Sequence, residues 1–260
     1  MNISIDGTLM SLEFPRDTDL LNEHIERINS DEKIIALSCR KDNRHAQNFD
    51  LRILRNIKNT DKIKIFNLDG CDHIEELYRF SEITELGTET HNGELLDLAK
   101  FQNLSELSSD NLQGFKNLSV PNITIYNGGE LFQPELLSQM RNLTNLYLYG
   151  TKGFSFLEIQ GLIELERVIL VKCNLKNLNG ISTFKKIKVL TISYAHSLSN
   201  IDGVERLSQL KRLTFTCCAK LLSLDILSQM HCLEDLNIVG LKNSEFSFIS
   251  KIKALKELRL

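Results

Sequence analysis

An apolar pattern returns every 22 or 23 positions through the second half of this chain, and nothing else in the sequence constrains its fold as tightly. Met140-x-x-Leu143-x-x-Leu146-x-Leu148 recurs as Leu162-x-x-Leu165-x-x-Val168-x-Leu170, then as Phe184-x-x-Ile187-x-x-Leu190-x-Ile192. Three further copies open at Leu207, Met230 and Ile252. The second anchor falls at 143, 165, 187, 210, 233 and 255, in steps of 22, 22, 23, 23 and 22 residues. A fixed period of this size marks a chain of stacked repeats. Each repeat is too short to bury its own apolar side, and its neighbours supply the missing wall.

The residues between the anchors repeat as well. Leu170 is followed by Cys173, Leu175, Leu178, Ile181 and Phe184, and Ile192 by Ala195, Leu198, Ile201, Val204 and Leu207. The consensus is L-x-x-L-x-L-x-x-(N/C)-x-L-x-x-L-x-x-I-x-x-F. It resembles the leucine-rich repeat family, in the short 22-residue class also seen in internalins. The usual asparagine after the strand is replaced here by Thr151, Cys173, Ala195, Cys218 and Leu241. Cysteine and threonine are known substitutes there in the family. The resemblance implies an α/β solenoid with a curved parallel β-sheet on the concave face and short 3-10 or α turns on the convex face. With strands about 4.8 Å apart, roughly ten repeats give a spine on the order of 45–50 Å.

The first half is less regular. Residues 2–14 alternate around Asp6-Gly7, a hairpin signal. Leu20, Leu21, Ile25 and Ile28 fall near helical spacing behind Asp17 and Asp19, predicting a helix over 17–29. Together they are expected to form a cap, residues 1–33, over the open apolar face of the first repeat. The solenoid is expected over 34–260, continuous with the cap. Ile57-x-x-Thr60-x-x-Ile63-x-Ile65, Phe80-x-x-Ile83-x-x-Leu86-x-Thr88 and Phe101-x-x-Leu104-x-x-Leu107-x-Ser109 fit the template. Residues 71–80 and 92–101 read as helical turns on the outer face, and the repeat after Leu104 is short. The last inward position, Leu260, is also the last residue given.

The net charge of −3 and pI near 6.1 do not suggest a nucleic-acid binder. No run of about 18 apolar residues predicts a membrane span. Met1 to Asp17 lacks the pattern of a secretory leader. The six cysteines form no CxxC pair and Cys217 adjoins Cys218, so the thiols are read as reduced and the location as cytoplasmic. No spacing for a nucleophile elbow, zinc protease, phosphate-binding loop or dinucleotide fold is present. Cys71-Asp72-His73 with Glu75 is the one tight Cys/His/acid cluster, and ordinary surface or core roles account for it better than a metal. The chain is therefore read as a non-enzyme with no cofactor and no metal.

Side chains alternate between the faces of a strand, so the residues between inward positions project outward. Along the spine these include Lys62, Lys64 and Phe66, then Glu85, Glu89, Glu106 and Asp110, read as one acidic patch. Tyr126, Tyr147 and Tyr149 follow, beside Arg167, Ile169 and Val171. Aromatic and apolar groups rimmed by charge are the composition of a protein-binding hot spot. The expected function is binding of another protein through the concave face, with the chain otherwise a monomer. The resemblance extends to small repeat-only bacterial immunity proteins of toxin–immunity systems, such as contact-dependent growth inhibition. It implies a basic toxin or nuclease domain as the partner. A cytosolic adaptor or phosphatase-regulatory scaffold is the alternative, and a fragment of an adhesin or effector a third.

Overall fold

The computed structural model describes residues 9–13, 18–40, 48–88, 95–110, 112–126, 134–241 and 246–260. Two compact units divide the chain, residues 1–120 and 121–260, and the division falls at the short repeat after Leu104.

The second unit shows most plainly why the pattern gives this fold. Its strands are β6 (Asn122–Tyr126), β7 (Asn145–Tyr149), β8 (Arg167–Val171), β9 (Val189–Ser193), β10 (Arg212–Thr216), β11 (Asp235–Val239) and β12 (Glu257–Arg259). They pair in chain order, all parallel, with no slip in register. The lead-in to each strand turns on three-residue hydrogen bonds. The amide of Leu143 donates to Met140 O at 2.9 Å, Ile187 to Phe184 O at 3.2 Å and Leu210 to Leu207 O at 3.0 Å. A three-residue turn returns the same face inward each time, which is why the apolar anchors stand three apart. Within the strand the period becomes two, so Leu146 and Leu148, Leu190 and Ile192, and Leu213 and Phe215 point into the core and are fully buried. Each buried Leu or Ile contributes on the order of 1.5–3 kcal/mol relative to exposure.

The return path is made of short 3-10 turns at Phe156–Ile159, Ile181–Thr183, Val204–Arg206, Asp225–Gln229 and Ser247–Lys251, as the resemblance implied. A four-residue helix, α2 (Pro134–Leu137), takes their place in the first repeat of the unit. Leu258 and Leu260, inward by the template, stand 40% and 62% exposed, because no described strand packs beyond β12.

The site after β7, β8, β9 and β10 holds Thr151, Cys173, Ala195 and Cys218, all buried, whereas Leu241, after β11, is half-buried. Here thiols do the work expected of an asparagine. Cys173 Sγ donates to Leu148 O and Val171 O at 3.6 Å, and Cys218 Sγ to Ile192 O and Thr216 O at 3.7 and 3.6 Å. Thr151 Oγ1 donates to Cys173 Sγ at 2.9 Å. The thiol bonds are weak ones to carbonyls in the last two positions of the strands. Burial pushes both thiols upward in pKa.

In the first unit β1 (Leu9–Glu13), β2 (Ala36–Arg40), β3 (Ile65–Asp69), β4 (Glu85–Thr88) and β5 (Glu106–Ser109) pair in that order, all parallel. The first half of the expected hairpin lies outside the described residues; its second half is β1, parallel to β2. The helix α1 runs Thr18–Ser30 and buries Ile25 and Ile28. Lys62 Nζ donates to Ile28 O and Asp31 O at the helix C-terminus, where the exposed carbonyls favour a cation. The outer turns at Leu51–Asn56, Ile74–Arg79 and Leu98–Lys100 are 3-10 rather than α.

One reading in this unit is corrected. The template in the third repeat is Thr60-x-x-Ile63-x-x-Phe66-x-Leu68, three residues later than expected. Phe66 is fully buried, not on the outward face, and Ile65 is the half-exposed residue beside it. Phe66 packs edge-on against Phe80, ring centres 4.8 Å apart.

Candidate outward-face binding site

Strict register turns the outward face of the second unit into rows. One runs Asn122, Asn145, Arg167, Val189, Arg212 and Asp235; the next Thr124, Tyr147, Ile169, Thr191, Thr214 and Asn237; the third Tyr126, Tyr149, Val171, Ser193, Thr216 and Val239. Tyr126, Tyr147, Tyr149, Arg167, Ile169 and Val171, singled out from the sequence, thus occupy adjoining positions on β6, β7 and β8. The Tyr126 and Tyr147 ring centres lie 6.2 Å apart, and Tyr126 is 48% exposed. Burial, then Tyr126 and Tyr149 beside it, push the Tyr147 phenol above its ordinary value, so it stays a neutral donor.

The residues that leave β7, β8, β9, β10 and β11 adopt a left-handed conformation: Gly150, Lys172, Tyr194, Cys217 and Gly240 have φ between 54° and 72°. Their amides extend the ladder, as when Lys172 N donates to Ser193 O at 2.8 Å. Such a turn carries its side chain to the rim of the sheet, and two such residues belong to the site although the sequence reading passed over them. Lys172 Nζ donates to the Tyr149 hydroxyl at 2.7 Å, and lies 5.1 Å from that ring's centre. The ammonium therefore meets the hydroxyl rather than the ring face, and this hydrogen bond raises its pKa and keeps it charged. Tyr194, 44% exposed, is the next rim residue and adds to the field on Lys172. Alternation ends where the left-handed residue begins, so only the recurring position after the strand could have flagged them.

The opposite rim, where strands begin, is a chain of ion pairs. Glu166 meets Lys188 at 2.7 Å, Lys211 and Lys256 meet Glu234 at 3.1 and 2.6 Å, and Arg212 meets Asp235 at 3.0 Å. Two lysines hold the Glu234 carboxyl below its ordinary value. Lys188, Lys211, Arg212, Glu234, Asp235 and Lys256 line a shallow groove, and each cation there stands beside a carboxylate.

The acidic residues lie in the first unit. Glu85 and Glu106 are exposed register partners on β4 and β5. Burial, then the like charge of Glu106, raise the Glu85 pKa. Asp110 lies four residues beyond Glu106, past the far end of the strand, about 13 Å along an extended chain. Asp110 is thus not stacked with the Glu85–Glu106 pair. Glu89 lies outside the described residues.

Cys71 and Asp72 have partners outside the Cys71 cluster, and His73 and Glu75 pair within it. Cys71 Sγ donates inward to Cys39 O at 3.2 Å, and burial pushes its pKa up to about 12. Asp72 accepts from Asn48 at 2.8 Å, and His73 pairs with Glu75 at 3.3 Å. Among the described residues no group of His, Cys, Asp and Glu could hold a metal ion. No helix among them is long and apolar enough to cross a membrane.

No family model matches this sequence, and no curated protein does. Solved structures do. One from the mouse RP105/MD-1 complex superposes with a TM-score of 0.57 at 15% identity, over 87% of this chain and 47% of that one. This chain thus spans about half the length of that relative. An internalin from Listeria monocytogenes matches at 12% identity over 89% of this chain and 68% of its own, TM-score 0.43. The leucine-rich repeat domain of the type III effector XopL matches at 14% over 91% and 78%, TM-score 0.45. The fold is an α/β leucine-rich repeat solenoid; at these identities the likeness speaks to fold alone.

Proposed function

We propose that this protein is a non-enzymatic interaction module that grips another protein through the outward face of its parallel sheet. The observation that carries this is the block of Tyr126, Tyr147, Tyr149, Ile169 and Val171. Neighbouring strands hold it rigid and in register, and it is accessible although apolar. Aromatic anchors set in a rigid wall lose little entropy on binding, which is why they dominate protein interfaces. In the solved structure that superposes with a TM-score of 0.57, RP105 is in complex with MD-1.

The finer reading is a cytoplasmic immunity protein that binds and neutralises a toxin domain. Its support is the resemblance to repeat-only immunity proteins, together with the exposed Glu85–Glu106 pair, which suits a basic partner surface such as a nuclease's. An adaptor scaffold is the competing reading.

Lysine cross-linking in the native host tests the face. Partner cross-links are expected at Lys172 and Lys188 and should vanish in the Tyr147→Ala, Tyr149→Ala double variant. Links confined to Lys185 and Lys251, on the 3-10 side, would move the site elsewhere. Co-expression with the product of the adjacent reading frame tests the role. Protection of the cell from a toxic neighbour, lost in the same variant, supports immunity; a harmless neighbour supports the adaptor.

A further inference from the structure

The cations around the tyrosines specify the partner's chemistry more closely than the tyrosines do. Across β7, β8 and β9 the outward positions are Asn145, Tyr147, Tyr149, Arg167, Ile169, Val171, Val189, Thr191 and Ser193, with no carboxylate among them. Glu166, at the start of β8, is spent on Lys188. The Arg167 guanidinium is exposed and has no side-chain partner among the described residues, unlike Arg212 two strands further along the row, which is held by Asp235. Lys172, at the other end of β8, has a hydroxyl for a partner and no carboxylate. The Tyr149 hydroxyl accepts from Lys172, so its own proton is available to an outside acceptor.

Arg167 and Lys172 are thus two uncompensated cations bracketing an apolar strip, Ile169 and Val171, flanked on β7 by Tyr147 and Tyr149. Five residues of extended chain separate them, about 16 Å. We propose that this face of the second unit takes an extended acidic segment of a protein partner. One carboxylate meets Arg167, a second meets Lys172 and the Tyr149 hydroxyl, and apolar side chains between them lie over Ile169 and Val171. This rests on the outward-face reading above and adds the sign of the charge that the face selects. Guanidinium and ammonium groups already poised without a carboxylate gain a charge-assisted hydrogen bond without breaking an existing ion pair. Two free cations and a net charge of −3 make a poor track for a phosphate backbone, so a peptide is favoured over a nucleic acid.

The test is unbiased selection of a random displayed-peptide library on the full chain, followed by fluorescence anisotropy with the enriched peptides. The expected result is enrichment of segments with two acids about four or six residues apart, an even spacing that keeps both on one face of an extended chain, and apolar residues between. Their affinity should fall at least about tenfold in Arg167→Glu, Lys172→Glu, weaken with salt, and be unchanged in the remote Lys220→Glu control. Both reversed side chains face outward, and an unshifted thermal melt shows that each variant is folded. Enrichment of basic or neutral peptides, or acidic ones indifferent to the reversal, overturns the proposal. So does a labelled single-stranded oligonucleotide that binds as tightly as the best peptide. Loss of peptide binding in Tyr147→Ala without loss in the charge reversal keeps the face and sinks its charge preference. Indifference to both sinks the face itself.

Discussion

At the scale of single residues, depth in the sheet decides what each side chain contributes. Leu190 and Leu213 point inward and are fully buried. Truncation to alanine should cost about 2–5 kcal/mol by urea unfolding, because packed neighbours on both sides cannot collapse into the void. A loss below about 1 kcal/mol would place them outward. Glu85 behaves differently. Its folded pKa is raised, so the native state binds the proton more tightly than the unfolded chain does. Stability is greatest below the ordinary carboxylate range and declines as pH climbs through that range to the raised value. Glu85→Gln should therefore be more stable than the parent at neutral pH and indistinguishable from it near about pH 3. A variant less stable at neutral pH would show that Glu85 makes a favourable contact which outweighs its repulsion from Glu106.

At the scale of elements, the turns explain both what the sequence disclosed and what it hid. From Met140 onward the three-residue steps of the lead-in and the two-residue step of the strand alternate cleanly, and each inward position down to Ile252 is legible. In the third repeat the same logic fails. Ile57, Thr60, Ile63 and Phe66 continue the three-residue step, so a frame set one step early also matches, ending on Ile63-x-Ile65. The turn breaks the tie: Gly70, φ 58°, leaves the strand just as Gly150 does. Lys172 and Tyr194 stayed hidden because a left-handed residue sits outside any alternation. The outer turns carry constraints of their own. Gly180 has φ 90°, and an added Cβ would come within 2.9 Å of the Leu157 backbone and side chain. Gly180→Ala should destabilise by more than the usual gain from stiffening the unfolded chain, about 0.4–1 kcal/mol, and lower the melting temperature. A stabilised variant would mean that the turn relaxes into another shape.

At the scale of the whole molecule, stability adds up repeat by repeat, so the ends matter most. In the first unit α1 sets Ile25 and Ile28 against the core, and Asn29 ties it to the next turn, donating to Asn56 O and accepting from Lys58 N. If residues 1–30 are a cap, their removal bares the edge of β2 and the apolar residues Ile34 and Leu37. Sedimentation should then show aggregates. A truncated chain that stays monomeric and unfolds cooperatively would remove the cap from the account. How far the candidate site was readable follows the same division. Rows on the regular repeats could be drawn from sequence alone, whereas pairing of charges could not. Nothing in the spacing of Arg167 and Arg212 says that only one of them has a carboxylate across the row.

The unslipped register of the second unit also makes its face a ruler with two graduations. Along a strand, side chains on one face recur about every 6.6–6.8 Å, and from strand to strand about every 4.8 Å. An extended visitor lying parallel to β8 has the same longitudinal graduation and can stay in step from Arg167 to the rim. A helix laid across the strands advances about 5.4 Å per turn. It drifts against the rungs by about 0.6 Å each time and is a full rung out of step after about eight, as a vernier is. The lattice that holds the tyrosines in place therefore also discriminates between the shapes of visitors.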